Sequence, residues 1–314
     1  MPQHYCTYFD RRYLLMGLTL HQSLLEQVSD FRHWILCLDD DTYRILEKMR
    51  LPRAELIRLS DFENPDLLAI KSTRTPVEYY WTATPDLLLY VFDQDASISQ
   101  LTYLDADLFF FAPPDPIEQE LDGGSILIVE HRYSPDLAYL AAESGIYNVS
   151  LLTFQRDVNA LACLRWWRER CLEWCYARVE GGKMGDQKYL DDWRTRFPGV
   201  AVLKHPGCGV APWNIQNYSL DRRNDAVYVD DAPLIFYHFH QFKPLGPRQF
   251  DLAQRYRLTR QAIDLIYRPY IAAIQRTIQR VQQVAPDFQA GYFARDAFTE
   301  LKRLVKCHWH ILSV

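Results

Sequence analysis

No apolar run in this chain approaches the roughly 18 residues that a membrane-spanning helix requires. The opening Met1-Pro-Gln-His-Tyr-Cys-Thr-Tyr-Phe-Asp10 has no basic stretch followed by an apolar core, so it does not read as a secretory signal. Together these absences predict a cytoplasmic protein and leave peripheral contact with a membrane open. No Gly-x-Gly-x-x-Gly follows the first predicted strand, which excludes the usual dinucleotide-binding fingerprint. The seven cysteines are odd in number and have no framework spacing. Cys171 and Cys175 lie four apart on a predicted helix, yet no second Cys or His pair at zinc spacing accompanies them, and buried free thiols are expected. A basic excess is also missing. The formal net charge is -5, which excludes a chain-wide nucleic-acid binder. Internal repeats and low-complexity segments are absent.

The chain has 314 residues, 48% of them hydrophobic, enough for one large domain or two smaller ones. Aromatic residues reach 14%, which fits either an aromatic core or a cleft that stacks on bases or sugars. Charge is uneven along the chain. Residues 251–314 carry ten Lys and Arg against five Asp and Glu, while the remainder carries 25 against 35. Such a basic segment is either a solvated helix face or a surface for an anionic partner such as a membrane.

The first sixty residues read strand, helix, strand, helix, strand: His4–Phe9, Leu14–Leu25, His33–Leu38, a helix opening at Asp39-Asp-Asp41, and Glu55–Leu59. Asp suits the N-cap and the positive end of a helix. This alternation predicts a parallel α/β sheet. Pro76–Phe92 reads as a helix with Pro85 as a kink or restart. A strand follows at Leu101–Leu104, and Pro113, Pro114 and Pro116 then break regular structure. Ser125–Val129 and Ile146–Phe154 are further strands. A helix is expected from Val158 to about Tyr176, a turn at Gly181–Gly185, and another helix from Asp186 to Trp193. Val200–Leu203 and Leu234–Phe239 are the last expected strands, with helices from Phe250 onward. There, Ile263, Ile266, Tyr267, Tyr270, Ile271, Ile274, Ile278 and Val281 form an amphipathic stripe. The expected division is a catalytic domain over residues 1–249 and a helical extension over 250–314.

Two aspartates interrupt the apolar run Gln100-Leu-Thr-Tyr-Leu-Asp-Ala-Asp-Leu-Phe-Phe-Phe111. Buried carboxylates without partners are costly. If strand alternation continues, Asp105 and Asp107 face the same way at a strand's carboxyl end, where open α/β sheets bind ligands. They then make a hard-oxygen site for Mg²⁺ or Mn²⁺ that phosphate oxygens or water could complete. The plainer alternative is a pair of aspartates capping a turn. Further on, Leu234-Ile-Phe-Tyr-His-Phe-His-Gln-Phe-Lys-Pro244 ends an apolar strand in His238 and His240, again two apart. A neutral imidazole there could be a third ligand, and Lys243 could attract a diphosphate.

These pieces together resemble the nucleotide-diphospho-sugar glycosyltransferases of GT-A fold, family 8 in particular, the group of glycogenin and the bacterial lipopolysaccharide galactosyl- and glucosyltransferases. The resemblance covers about residues 4–245. Cys6-Thr-Tyr-Phe-Asp10 resembles the family's first strand, which implies that Thr7, Tyr8, Phe9 and Asp10 hold base and ribose. Tyr103-Leu-Asp-Ala-Asp107 resembles the metal motif. Tyr147-Asn-Val-Ser-Leu-Leu152 resembles the strand near the donor sugar and implies a sugar contact for Asn148. Gly185-Asp-Gln187 resembles the pair beside the reacting carbon and implies catalytic roles for Asp186 and Gln187. His238-Phe-His-Gln-Phe-Lys-Pro244 resembles the late metal and phosphate motif. It implies a metal set of Asp105, Asp107 and His238, with Lys243 on the phosphates. That motif is one residue shorter here, lacks the family's Gly, and has Leu245 for its Trp. The family's Arg before the metal strand is absent; Lys71 and Arg74 lie earlier and could substitute.

The resemblance implies a UDP-sugar donor, Mn²⁺ or Mg²⁺, and transfer with retention to a hydroxyl of a glycan, glycolipid or protein. Trp213 is an acceptor-stacking candidate or a core residue. The C-terminal helices could meet a lipid-linked acceptor, a membrane or a second subunit. Two other readings remain. One is a phosphohydrolase with Asp105 as nucleophile, which expects Thr or Val where Phe109 stands. The other is a non-catalytic binding protein of the same fold. For Asp186, helix N-capping competes with catalysis.

Overall fold

The computed structural model describes residues 2–294 and 311–313. Strand β1 (Gln3–Phe9) leads through helix α1 (Leu14–Gln27) to β2 (Phe31–Cys37), and α2 (Asp40–Met49) leads to β3 (Ala54–Arg58). The expected N-cap is present: the Asp39 carboxylate accepts from the Thr42 amide at 2.7 Å. Two short helices, α3 (Leu59–Phe62) and α4 (Pro65–Lys71), precede the long α5 (Pro76–Gln94), which contains Pro85 without ending there. Thr75 and Glu78 close a reciprocal capping box at its start. Next come β4 (Gln100–Leu104), β5 (Leu108–Phe110), α6 (Asp115–Leu121), β6 (Ile126–Glu130), α7 (Leu140–Ser144), β7 (Tyr147–Gln155) and α8 (Val158–Glu173). A 3₁₀ turn (Gln187–Asp192) runs into α9 (Trp193–Arg196), and β8 (Val200–Leu203) follows.

Seven strands form the central sheet in the order β3-β2-β1-β4-β7-β6-β8. β1, β2, β3 and β4 are mutually parallel, β7 runs antiparallel to both β4 and β6, and β8 is parallel to β6. The expected mostly parallel α/β sheet is therefore the fold. Parallel strands covered on both faces need continuous apolar runs. β6 meets that need, with Ile126, Leu127 and Ile128 fully buried, while β4 buries Leu101 and Leu104 on either side of Thr102, whose hydroxyl bonds Thr153. The described cysteines are all free and buried; Cys307 lies outside the described residues.

Several expectations are corrected. Pro113, Pro114 and Pro116 do not abolish regular structure: α6 starts at Asp115, with Pro116 in the first turn, where a missing N–H costs nothing. The helix from Val158 stops at Glu173, short of Tyr176. The segment opening at Asp186 is 3₁₀ before it is α-helical. The expected strand Leu234–Phe239 narrows to β12, and it is not the last. β9 (Leu220–Arg223), β10 (Ala226–Val229) and β11 (Ala232–Pro233) precede β12 (Phe236–His238), and β13 (Lys243–Gly246) and β14 (Gln249–Asp251) follow it. The hairpin from β9 to β10 turns on Asn224 and Asp225, both at positive φ, a two-residue turn chemistry that Asn and Asp tolerate. It escaped notice because Asp221-Arg-Arg223 is exposed and shows no apolar alternation. Phe250 lies in β14, not in a helix, and β15 (Ile311–Ser313) pairs with β14. Beyond them, α10 (Arg260–Ala262), a π-turn (Ile263–Tyr267) and α11 (Arg268–Val284) form the helical extension.

The amphipathic stripe of that extension is spent inside the molecule. Ile266, Tyr267, Tyr270, Ile271, Ile274, Ile278 and Val281 are all buried with Leu14, Leu15, Leu18, Tyr237 and Phe239. The Thr19 and Thr277 hydroxyls join α1 to α11 at 2.8 Å. This apolar face is thus not presented to a membrane. Arg295, Lys302, Arg303 and Lys306 of the basic segment lie outside the described residues. No helix among the described residues is long and apolar enough to cross a membrane.

One close approach fixes the approach of β12. The Gly207 carbonyl accepts from the amides of Ile235 and Phe236. A Cβ on Gly207 would stand 1.9 Å from the Pro233 carbonyl oxygen, a backbone atom that cannot swing away. Gly207→Ala is expected to lower stability by about 1–3 kcal/mol through overpacking. Gly246→Ala, where a Cβ meets nothing within 4 Å, should change it by less than about 0.5 kcal/mol. Urea unfolding of both variants checks this; equal midpoints would refute the contact.

Candidate active site

The two aspartates do not lie on a strand. β4 ends at Leu104 and β5 begins at Leu108, so Asp105-Ala-Asp107 forms the turn between them. The Asp105 amide donates to the Ser150 carbonyl on β7 at 2.8 Å, and the Leu108 amide returns to the Asp105 carbonyl. The expected strand alternation of the two carboxylates therefore does not hold; both lie instead beside one histidine of a neighbouring strand. β12 pairs antiparallel with β5, setting His238 opposite Leu108. The Phe239 amide donates to the Asp107 carbonyl at 2.9 Å, and the His238 amide to the Val210 carbonyl at 2.8 Å. His238 Nε2 then lies 3.1 Å from Asp107 Oδ1 and 3.8 Å from Asp105 Oδ2. Asp105 Oδ1 takes the Tyr103 hydroxyl at 2.9 Å.

Charge divides unequally over this group. Burial drives the Asp105 carboxyl up, against the pull of His238 and with the push of Asp107, to about 6. Burial works the same way on Asp107, but the His238 imidazole wins by charge and hydrogen bond and holds its carboxyl below the ordinary value. His238 gains basicity from both carboxylates despite burial. His240 is pushed down to about 4 by burial and by His238, so it is neutral near pH 7.

Asp186 closes another side. It stands at the N-cap position of the following 3₁₀ turn, and its side chain makes no capping bond there. The Thr84 hydroxyl of α5 reaches Asp186 Oδ2 at 3.2 Å, and the Tyr8 hydroxyl meets Thr84 Oγ1 at 3.1 Å. The Asp186 carbonyl accepts from the Trp167 indole at 2.9 Å. Burial, then the negative charge of Asp105, raises the Asp186 carboxyl to about 8. Gln187 is oriented by donating to the Ser144 carbonyl at 2.7 Å.

The other expected site residues divide. Thr7 is fully buried with its hydroxyl unpartnered among the described residues. Tyr8 faces the site, whereas Phe9 is core, its ring against Gly17 of α1. Asp10 accepts from the amides of Arg12 and Tyr13 at 2.9 and 3.2 Å. Asn148 is buried, its Oδ1 taken by Ser150 and its Nδ2 unpartnered among the described residues. Lys243 reaches Gln254 at 3.4 Å and lies over the Phe293 ring. Lys71 pairs with Glu63 at 2.5 Å, and Arg74 stacks on Tyr176 and donates to the Leu172 carbonyl. Those two cations are engaged at the α4–α5 junction rather than with the aspartates. Trp213 is buried, with its ring edge-on to His238 and His240. Thr84 is a neighbour of the site that the sequence does not announce. Thr84 precedes Pro85 in the middle of a helix, and only the tertiary fold aims it here.

The residues fit a divalent cation. Ligand atoms of Asp107, His238 and His240 all lie within 4.8 Å of one another. Opposite ligands of a six-coordinate ion stand about 4.2–4.8 Å apart. His238 Nδ1 is buried without a partner among the described residues, so the ring is incompletely satisfied as it stands.

No protein-family model matches the chain. The uncharacterized protein YfnD of Bacillus subtilis (strain 168) is 33% identical over 297 residues, covering 94% of this chain and 96% of YfnD. YfnF of the same organism is 32% identical over 303 residues, covering 94% of this chain and 99% of its own. Among solved structures, the galactosyltransferase LgtC, in complex with donor and acceptor sugar analogs, aligns with a TM-score of 0.52 at 14% identity, over 90% of this chain and 96% of LgtC. The glycosyltransferase GlyE of Streptococcus pneumoniae TIGR4 also aligns with a TM-score of 0.52 at 14% identity, over 94% of this chain and 66% of GlyE. The chain belongs to the family of YfnD and YfnF, and its fold is the GT-A fold.

The raised Asp186 carboxyl makes stability depend on pH. An acid whose folded pKa exceeds its unfolded value favours the folded state below the unfolded value, and that contribution is lost as pH rises through the folded value. Wild type should therefore lose stability relative to Asp186→Asn between about pH 4 and about pH 8. With chelator present, urea unfolding at about pH 5.5 and about pH 8.5 should show a relative change of roughly 1–3 kcal/mol. Parallel pH profiles would mean that Asp186 is ionised throughout.

Proposed function

We propose that this member of the YfnD–YfnF family is a metal-dependent glycosyltransferase that moves a sugar from a nucleotide-diphosphate sugar to an acceptor hydroxyl. The observation that carries the reading is the convergence of Asp105, Asp107 and His238 at the carboxyl end of β4. Asp186 is close enough to have its acidity altered by Asp105. The donor would be a UDP-sugar, the ion Mn²⁺ or Mg²⁺, and the outcome retention of configuration. The acceptor would be a hydroxyl of a glycan, glycolipid or protein. Residues 1–249 would form the catalytic unit and 250–314 an extension packed beside it, helical over residues 260–284.

In such a transfer the bond between the anomeric carbon and the diphosphate oxygen breaks, a bond to the acceptor oxygen forms, and the acceptor's hydroxyl proton passes to the departing diphosphate. Charge builds on the departing diphosphate. A bound divalent ion would neutralise that charge as a Lewis acid. Asp107 and His238 would hold it, with Asp105 beside them. Lys243 would add a positive charge to the phosphates after leaving Gln254. Near neutral pH the Asp186 carboxyl is largely protonated, so it can donate to a sugar hydroxyl without bringing a second negative charge beside Asp105. Gln187 would bind next to it, oriented by the α7 carbonyl. Tyr8 and Thr84 fix the position of Asp186 from below.

The phosphohydrolase reading loses ground on geometry. It expects Thr or Val where Phe109 stands. That ring is buried against Phe111 and Tyr270 at 5.0 and 5.5 Å between centroids.

Thermal unfolding tests the reading. UDP together with Mn²⁺ should raise the melting temperature, with about 2.7 kcal/mol of stabilisation at 100 times the dissociation constant. Neither should do so fully alone. Asp107→Ala should remove the joint shift and reduce UDP release from a matching UDP-sugar by about 100-fold or more. Undiminished turnover in that variant would sink the metal assignment. No shift with any nucleotide would favour a non-catalytic binding protein.

A further inference from the structure

We infer that His240 is an additional ligand of the cation site, so that the site presents two imidazoles and prefers a transition-metal ion such as Mn²⁺ or Co²⁺ over Mg²⁺. The inference rests on the proposed metal site and deepens it. His240 belongs to none of the ligand sets that the Asp-x-Asp motif supplies.

Backbone alternation delivers His240 to the site. β12 ends at His238, yet alternation continues past it. Tyr237 and Phe239 turn inward: Phe239 stacks on Tyr270 with ring centroids 3.6 Å apart, and Tyr237 meets Tyr267. His238 and His240 therefore share the opposite face, with ring centroids 5.5 Å apart. The chain then reverses at Gln241, whose φ is +63°, and the Phe242 amide bonds back to the Phe239 carbonyl at 2.9 Å. This turn keeps His240 beside Asp107 instead of carrying it away.

A second layer holds the two rings. Trp213 lies edge-on to both, at 5.2 Å from His238 and 5.4 Å from His240. Its indole N–H is anchored on the His131 carbonyl at 2.9 Å, and Asn214 donates to the same carbonyl at 2.8 Å. Tyr256 flanks His240 from another side, at 6.0 Å. Support of this kind orients ligating side chains before the ion arrives.

The donor set decides the ion. Asp107, His238 and His240 form the compact group in which each ligand atom lies within 4.8 Å of the others. Asp105 stands at its edge, with one oxygen committed to Tyr103. Carboxylate and water suit Mg²⁺, which keeps much of its hydration, whereas each imidazole shifts preference toward later divalent ions.

The test is direct metal binding by the full chain, measured by calorimetry with Mn²⁺, Co²⁺ and Mg²⁺, each with and without UDP. Wild type should bind Co²⁺ and Mn²⁺ at least about tenfold more tightly than Mg²⁺. His240→Gln should weaken Mn²⁺ and Co²⁺ by about tenfold or more and leave Mg²⁺ within about twofold, narrowing the preference. Pulsed electron paramagnetic resonance of Mn²⁺-loaded wild type should show couplings from two imidazole nitrogens, a readout that needs no variant. A single coupling, or an unchanged preference in His240→Gln, overturns the assignment of His240 while the cation site stands, provided Asp107→Ala still abolishes binding. Absence of binding by any of the three ions, with or without UDP, overturns the cation site and this inference together.

Discussion

Two carboxylates in a largely enclosed turn require a positive charge, and the rest of the site is arranged around that requirement. The Asp105 amide bond to Ser150 fixes the backbone of the turn directly after β4. Like charges at this separation and depth do not both ionise readily. The protein answers first with His238, brought from 131 positions later in the chain by a three-residue antiparallel pairing. That pairing is short, so its precision comes from elsewhere. Phe239 and Tyr237 are locked into the aromatic layer against Tyr267 and Tyr270. The buried face of α11 thus supports the polar face of β12, and the helical extension is energetically part of the site.

The three acids end in different states because their surroundings differ. Asp107 touches the imidazole and stays ionised. Asp105 sits farther from it and is intermediate. Asp186 has only hydroxyl and amide neighbours, with Asp105 as a repelling charge, and it is held neutral over the widest range. Such separation of neighbouring acidities assigns different chemical tasks to groups of one type. A negative patch that binds a cation and a neutral acid that donates to a hydroxyl can then stand in the same cleft.

Much of this was legible in the sequence, for reasons that can be stated. The alternation over the first sixty residues is local, and the parallel order of β1, β2 and β3 follows from it. The stripe from Ile263 to Val281 carried its own periodicity, and the faces it names are buried. Asp105, Asp107 and His238 could be picked out because charged groups stand out against apolar runs. Other features depend on contacts distant in sequence. Thr84 has no mark of function in Tyr80-Trp-Thr-Ala-Thr84. Lys71 and Arg74 are ordinary surface cations until Glu63 and Tyr176 claim them. The hairpin at Asn224 and Asp225 lacks apolar alternation, so only its turn residues could have revealed it.

The late motif shows how a departure in sequence can carry structural meaning. Gln241 occupies a left-handed position, at φ +63°, where the family pattern would lead one to expect Gly. A non-glycine residue there costs of order 1–3 kcal/mol, and it persists only when its neighbours over-determine the turn. The neighbours here do so. Phe239 and Phe242 are both buried on either side of the reversal, joined by a backbone bond, and each packs on Tyr270. The two aromatic residues fix the ends of the turn, and Gln241 must adopt the conformation left to it. The same constraint keeps His240 on the side of His238 and Asp107. Aromatic packing at both ends of the turn therefore fixes the backbone conformation of Gln241 and the position of His240 together.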